Sequence, residues 1–139
     1  MPPWTWEKQA ILFVVSLHLF IVFGLTVLIN PAEGIRMHKE KVYQGKWCKQ
    51  AGGRIEVLLR DKTRVDCLTS QYAIEFDFGS KWAEAVGQAL YYAARTGKEP
   101  GIVLILEKER DRKFWERLNA VVAHYDLAIK IWIMKPEDL

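Results

Sequence analysis

Residues Arg64–Gln88 read RVDCLTSQYAIEFDFGSKWAEAVGQ. Two short runs rich in β-branched and aromatic residues, Arg64–Leu68 and Tyr72–Phe78, flank the polar Thr69-Ser70-Gln71, the pattern of a hairpin. Beyond Phe78 the period changes from two to three and four, because Trp82, Ala85, Val86, Ala89 and Ala93 form a helical stripe. Ser80 stands where that helix needs an N-cap. Three carboxylates, Asp66, Glu75 and Asp77, interrupt the apolar strands, and acids are rarely buried in strands without a partner.

Alternation puts Glu75 and Asp77 on one face of their strand, about 6.6 Å apart along the chain, with Ile74, Phe76 and Phe78 on the other. In the preceding strand Val65 and Cys67 take the face opposite Asp66. A two-residue loop at Ser70-Gln71 pairs Thr69 with Tyr72. The same register sets Asp66 opposite Glu75, with Cβ atoms about 4.5–5.5 Å apart, whereas a slip of one residue would send them to opposite faces. Like charges that close call for a compensating cation, and carboxylate oxygens suit Mg²⁺ or Mn²⁺. A wet face with solvated acids accommodates the same pattern.

Working outward, Glu33–Gly53 reads as a helix stopped by Gly52-Gly53, and Arg54–Arg60 as a strand turning at Asp61-Lys62. Gly97 closes the central helix. Ile102–Leu106 (IVLIL) reads as a buried strand. Lys108–His124 reads as an amphipathic helix with Phe114, Leu118, Val121 and Val122 on one side, and Leu127–Met134 as a last strand. The order α-β-β-β-α-β-α-β predicts an α/β sheet flanked by helices, a meander followed by crossover units.

The chain has 139 residues with 20 Lys+Arg against 17 Asp+Glu, a charge of +3 that permits a nucleic-acid partner without demanding one. Ala10–Ile29 is a 20-residue run without Asp, Glu, Lys or Arg, long enough to cross a bilayer as a helix. A secretory signal is the other reading, although its apolar region is usually shorter and no good cleavage site follows. The expected organisation is therefore a flank over residues 1–9, a membrane helix or signal segment over 10–29, a linker over 30–39 and one domain over 40–139. The Lys and Arg residues after the span favour a cytoplasmic domain. The two cysteines, Cys48 and Cys67, point the other way if they form a disulfide in an oxidising compartment; two buried thiols account for them as well. Their spacing does not suggest zinc.

The order of elements, with Asp66, Glu75 and then a helix carrying Gln88-x-x-x-Tyr92, resembles the PD-(D/E)xK nuclease superfamily, in particular its RecB-like variant with a QxxxY helix. More narrowly, Thr63–Glu107 looks like a group of small bacterial proteins that are membrane-anchored or exported. The resemblance covers roughly Lys41–Met134. It implies a restriction-endonuclease-like αβββαβ core extended by a C-terminal helix and strand, in which Asp66 and Glu75 bind Mg²⁺ or Mn²⁺ for phosphodiester hydrolysis. The superfamily lysine two residues after the second acid is here Asp77, which would serve as a third ligand, with Lys81 supplying the ammonium group from the following helix. Glu40 would add an outer carboxylate, with Glu56 a weaker candidate, and Gln88 would fix substrate or Lys81. Arg54, Arg60, Lys62 and Arg64 would hold nucleic-acid phosphates without reading sequence. The competing expectation, favoured by the missing lysine, is a nuclease fold that no longer cuts and acts as a membrane-associated or exported binding protein. An unrelated membrane-anchored interaction domain is the third.

Overall fold

Antiparallel pairing of the first three strands and parallel pairing of the last two produce one mixed five-stranded sheet, in the spatial order of the sequence. The computed structural model describes residues 35–139, so the expected membrane or signal segment lies outside the described residues. No helix among the described residues is long and apolar enough to cross a membrane. Arg36–Leu139 forms one compact unit.

Helix α1 (Glu40–Gln50) is followed by strands β1 (Arg54–Leu58), β2 (Arg64–Leu68) and β3 (Tyr72–Phe78). A 3-10 turn over Gly79–Lys81 leads into α2 (Trp82–Thr96); β4 (Glu99–Ile105), α3 (Arg112–His124) and β5 (Lys130–Met134) complete the unit. Helix α1 is shorter than its sequence pattern suggested. It starts with Glu40 in its first turn and has Lys49 in its last, each matched to the helix dipole. It ends in a Schellman motif, with Gly53 N donating to Cys48 O and Gly52 N to Lys49 O, and Gly52 at φ +66° where an L side chain would be strained. The last strand is shorter as well. It begins at Lys130 because Leu127 and Ile129 form a tight turn, Ile129 N to Leu127 O at 2.7 Å.

Two apolar layers sandwich the sheet. On one face Tyr43 and Cys48 of α1 pack with Cys67, Ile74, Phe76, Phe78 and Val103. On the other, Ala85 and Ala89 of α2 and Leu118 of α3 cover Ile102 and Leu104. Burying each large aliphatic side chain contributes about 1.5–3 kcal/mol, and small residues along α2 let the helix backbone approach the sheet. Cys48 and Cys67 form a disulfide that ties α1 to β2. Ser80 is not the cap of α2; its Oγ accepts from Arg36 Nη2 at 2.9 Å, and Lys81 occupies the N-cap position without a capping side chain.

Candidate active site

The β2–β3 hairpin adopts the register read from its loop. Thr69 N donates to Tyr72 O, and Cys67 faces Ile74 and Leu68 faces Ala73. The next pair in that register is Asp66 with Glu75, and there the ladder stops. Phe76 N donates to Asp66 Oδ2 at 2.8 Å, so a carboxylate takes the place of a strand carbonyl. The two carboxyls lie close enough for each to bear on the other's protonation.

The neighbouring ladder breaks at the same level. Ile55 pairs with Cys67 and Val57 with Val65, while Glu56, between them, sits at φ +54°. This local twist corrects the simple alternation expected for β2. Val65 and Cys67 are both fully buried but on different sides: Cys67 packs among Ile74 and Phe76, Val65 against Ala73 and Tyr92. Asp66 lies at the change of face.

A buried glutamine that the sequence did not single out holds this break together. Gln44 of α1, 3% exposed, donates through Nε2 to Asp66 O at 2.9 Å and to Glu56 Oε1 at 3.1 Å. One turn earlier on α1 lies half-buried Glu40. A second buried acid fixes where α1 begins: Glu107, two residues past the end of β4, accepts from Met37 N, His38 N and Tyr43 Oη at 2.9, 2.9 and 3.0 Å. Burial pushes against ionisation of Glu107, but those donors prevail and hold its pKa below the usual carboxylate value. Its sequence signal was faint, a single Glu after the apolar run of β4.

Glu75 and Asp77 are 5% and 3% exposed. Burial, followed by repulsion from Asp66, Asp77 and Glu40, raises Glu75 far above an ordinary glutamate. Asp66 is raised chiefly by burial, against the opposing pull of the Phe76 N–H. Asp77 is pushed up to about 7 by burial, although the Lys81 ammonium lowers it. Glu40 is raised by burial and by Asp66, with Lys81 and Arg36 acting the other way. Four carboxyl groups thus crowd one another around the break, with Lys81 as a nearby cation whose Nζ also lies 3.7 Å from Glu84.

The other expected residues divide. Gln88 is exposed beside Tyr92, whose buried ring lies where it feels the charge of Glu75. Arg64 pairs with Glu56 at 3.6 Å, which brings it to the cluster. Arg60 and Lys62 stand exposed at the β1–β2 tip, and Arg54 stands at the opposite end of β1, across from Leu68. The Cys48–Cys67 bond begins one residue from Asp66 and four residues after Gln44, so it braces both sides of the break.

Glu75 Oε2 is buried and has no hydrogen-bond partner. An orphaned carboxylate oxygen is costly unless a proton or cation meets it. The donor set is all oxygen and matches the hard ions Mg²⁺ and Mn²⁺. Among the described residues, however, no three His, Cys, Asp or Glu side chains converge as a formed metal cage. Asp66 and Glu75 are the two carboxylates that could hold such an ion here, with water completing its shell. A separate cavity of about 400 Å³, lined by Glu107, Arg112, Trp115, Lys135 and Glu137 among others, opens at the ends of β4 and β5 and does not include Asp66, Glu75 or Asp77.

Comparison of the chain with protein-family models, with curated proteins and with solved structures finds no match.

Proposed function

We propose that Arg36–Leu139 is a restriction-endonuclease-like domain that hydrolyses phosphodiester bonds of nucleic acid with Mg²⁺ or Mn²⁺. The observation that carries the reading is the orphaned Glu75 Oε2 beside Asp66, at the break of the β2–β3 ladder. Carboxylates raised by burial and mutual repulsion are typical of a site that takes up a cation or works on protons.

In this reading Asp66 and Glu75 hold the ion and Asp77 adds a carboxylate toward Lys81. The bound ion would acidify a water and offset charge on the phosphoryl oxygens. The chain's own residues do the rest. Phe76 N and Gln44 fix Asp66 in one orientation, as a ligand must be fixed to act. Lys81 balances charge beside Asp77, and Gln88, exposed on α2 one turn before Tyr92, would fix substrate or Lys81. Arg64, Arg60 and Lys62 meet phosphates on the β1–β2 side.

One observation favours the second reading, a binding protein that does not cut. Asp77 stands where the superfamily has lysine, and Lys81 shares its charge with Glu84. The disulfide supports an exported, oxidising placement over a cytoplasmic one. Both readings meet in one experiment: titration of the full chain with Mg²⁺ and Mn²⁺, followed by thermal shift and by cleavage of labelled DNA and RNA, beside Asp66→Ala and Glu75→Ala. Metal-dependent stabilisation and cleavage that vanish in both variants support the nuclease. Stabilisation without cleavage supports the binding protein, and no metal response sinks the enzyme.

A further inference from the structure

A short strap ahead of α1 reaches the ends of β3 and β4. Arg36–His38 has no regular secondary structure, and it is held in place because Met37 N and His38 N both donate to the Glu107 carboxylate. The Arg36 guanidinium stacks on the Phe78 ring, with Cζ 3.9 Å from the centroid, and its Nη2 donates to Ser80 Oγ at 2.9 Å. Phe78 follows Asp77 and Ser80 precedes Lys81, so the arginine is seated on the segment that bears both of those site residues.

Among the described residues Arg36 is the one arginine that is half-buried rather than exposed. It forms no ion pair with a carboxylate there. Drawing a cation out of water without an opposite charge is costly. The Phe78 face and one hydroxyl offset part of that cost without neutralising the charge. Two carboxyls sense the guanidinium, Glu40 and Glu107. The Glu107 oxygens already accept from Met37 N, His38 N and Tyr43 Oη. Burial and Asp66 disfavour the Glu40 anion, and Glu40 senses Asp66, Lys81 and Arg36 together, which puts the arginine in the same cluster as the acids. A guanidinium presents five N–H donors in a planar fork, and among the described residues only Ser80 accepts from it.

We propose that Arg36 binds the nucleic-acid phosphate that meets the metal ion, gripping its non-bridging oxygens through the guanidinium fork. This rests on the nucleic-acid reading above and adds the residue that takes the substrate's charge. A planar fork matches phosphate oxygens two at a time, and stacking on Phe78 fixes its orientation before the substrate arrives. The need for such a cation is local. A phosphate entering among four carboxyl groups is repelled, and Lys81 already shares its charge with Glu84 at 3.7 Å.

The test is fluorescence anisotropy of the full chain in detergent with a fluorescein-labelled dT12 oligonucleotide and with a 12-base-pair blunt duplex. Each is titrated over a range of KCl, with Mg²⁺ and with EDTA, and read before cleavage accumulates. Arg36→Met keeps the apolar stem of the side chain and removes its charge. In Mg²⁺ it should weaken both complexes at least about tenfold, the lower end of what a hydrogen bond to a charged group contributes. On the duplex the slope of log K against log salt should shrink by about 0.9, the share of one phosphate contact, and Arg36→Lys should retain the native slope. In EDTA the loss of affinity should be smaller, because Arg36 and the ion hold one phosphate and their effects are not additive. Both variants should keep the Mg²⁺-induced shift in melting temperature, which separates a lost phosphate contact from a lost fold. A native salt slope in Arg36→Met, or an equal loss with and without Mg²⁺, overturns the proposal while the nucleic-acid reading stands. Failure of the native chain to bind either oligonucleotide overturns both.

Discussion

Asp66 and Glu75 face one another at the residue pair where the β2–β3 ladder ends, and Glu75 Oε2 is left without a partner. Two carboxyls in that position share a proton readily and share a full charge badly. Glu75→Gln keeps the shape and hydrogen bonding of the side chain while removing its charge. In metal-free buffer at pH 8 it should stabilise the fold by on the order of 1 kcal/mol, several degrees in Tm. The same variant should lose the Mg²⁺-induced shift. A variant that melts lower than native in metal-free buffer would contradict the crowding of charge at this pair.

The pH dependence follows from Asp77, buried beside Glu40 and raised from 3.8 to about 7. A carboxyl with a raised folded pKa binds its proton more tightly folded than unfolded. Its contribution is therefore complete below the unfolded value and lost as pH rises through the folded one. Tm in EDTA should fall between pH 5 and 8, with Asp66 and Glu75 adding to the same trend. Glu107, held below its usual value, acts only at lower pH and does not offset the fall. Asp77→Asn should flatten the slope, and Mg²⁺ should restore stability most at pH 8, because the ion competes with protons. Melting curves across that range at fixed ionic strength provide the check.

Gln44 is the residue through which α1 reaches the site. Its Nε2 satisfies both Asp66 O and Glu56 Oε1. Gln44→Leu fills similar space and leaves those acceptors without their donor, at a cost of about 1–3 kcal/mol. Metal affinity should fall too, since Asp66 would lose one of the two contacts that fix it. Chemical denaturation and metal titration on one sample separate these effects, and unchanged affinity would confine Gln44 to a purely structural part.

Much of this arrangement was legible in local pattern. The strand period, the Ser70-Gln71 loop and its register sum, and the helical stripe of α2 predict the sheet and bring Asp66 to Glu75. What was hidden depended on contacts distant in the chain. Gln44 lies 22 residues from Asp66, and Glu107 lies 64 from Tyr43; neither pairing leaves a periodic trace. Alternation also failed at Asp66, where Val65 and Cys67 on either side of it face opposite layers, across from the Glu56 backbone of β1 at φ +54°. Ser80 had the chemistry of a cap, but Arg36 engages its hydroxyl while the chain makes a 3-10 turn.

The brace beside the site yields a last prediction. Cys48 and Cys67 are 19 residues apart, and a closed loop of that size stabilises by about 3 kcal/mol through the unfolded chain. Gly53 packs so closely against the bond that a Cβ there would sit 2.6 Å from Cys67 Sγ and 2.8 Å from Cys48 Sγ. Gly53→Ala should therefore cost about 1–3 kcal/mol in the oxidised protein. Reduction lets the two sulfurs separate and make room, so the same substitution should cost less once the bond is broken. The two perturbations share one contact and should be non-additive. Urea denaturation of native and Gly53→Ala protein, with and without a dithiol, measures that coupling. Equal costs in both redox states would mean that the glycine answers to the Schellman turn of α1 rather than to the disulfide.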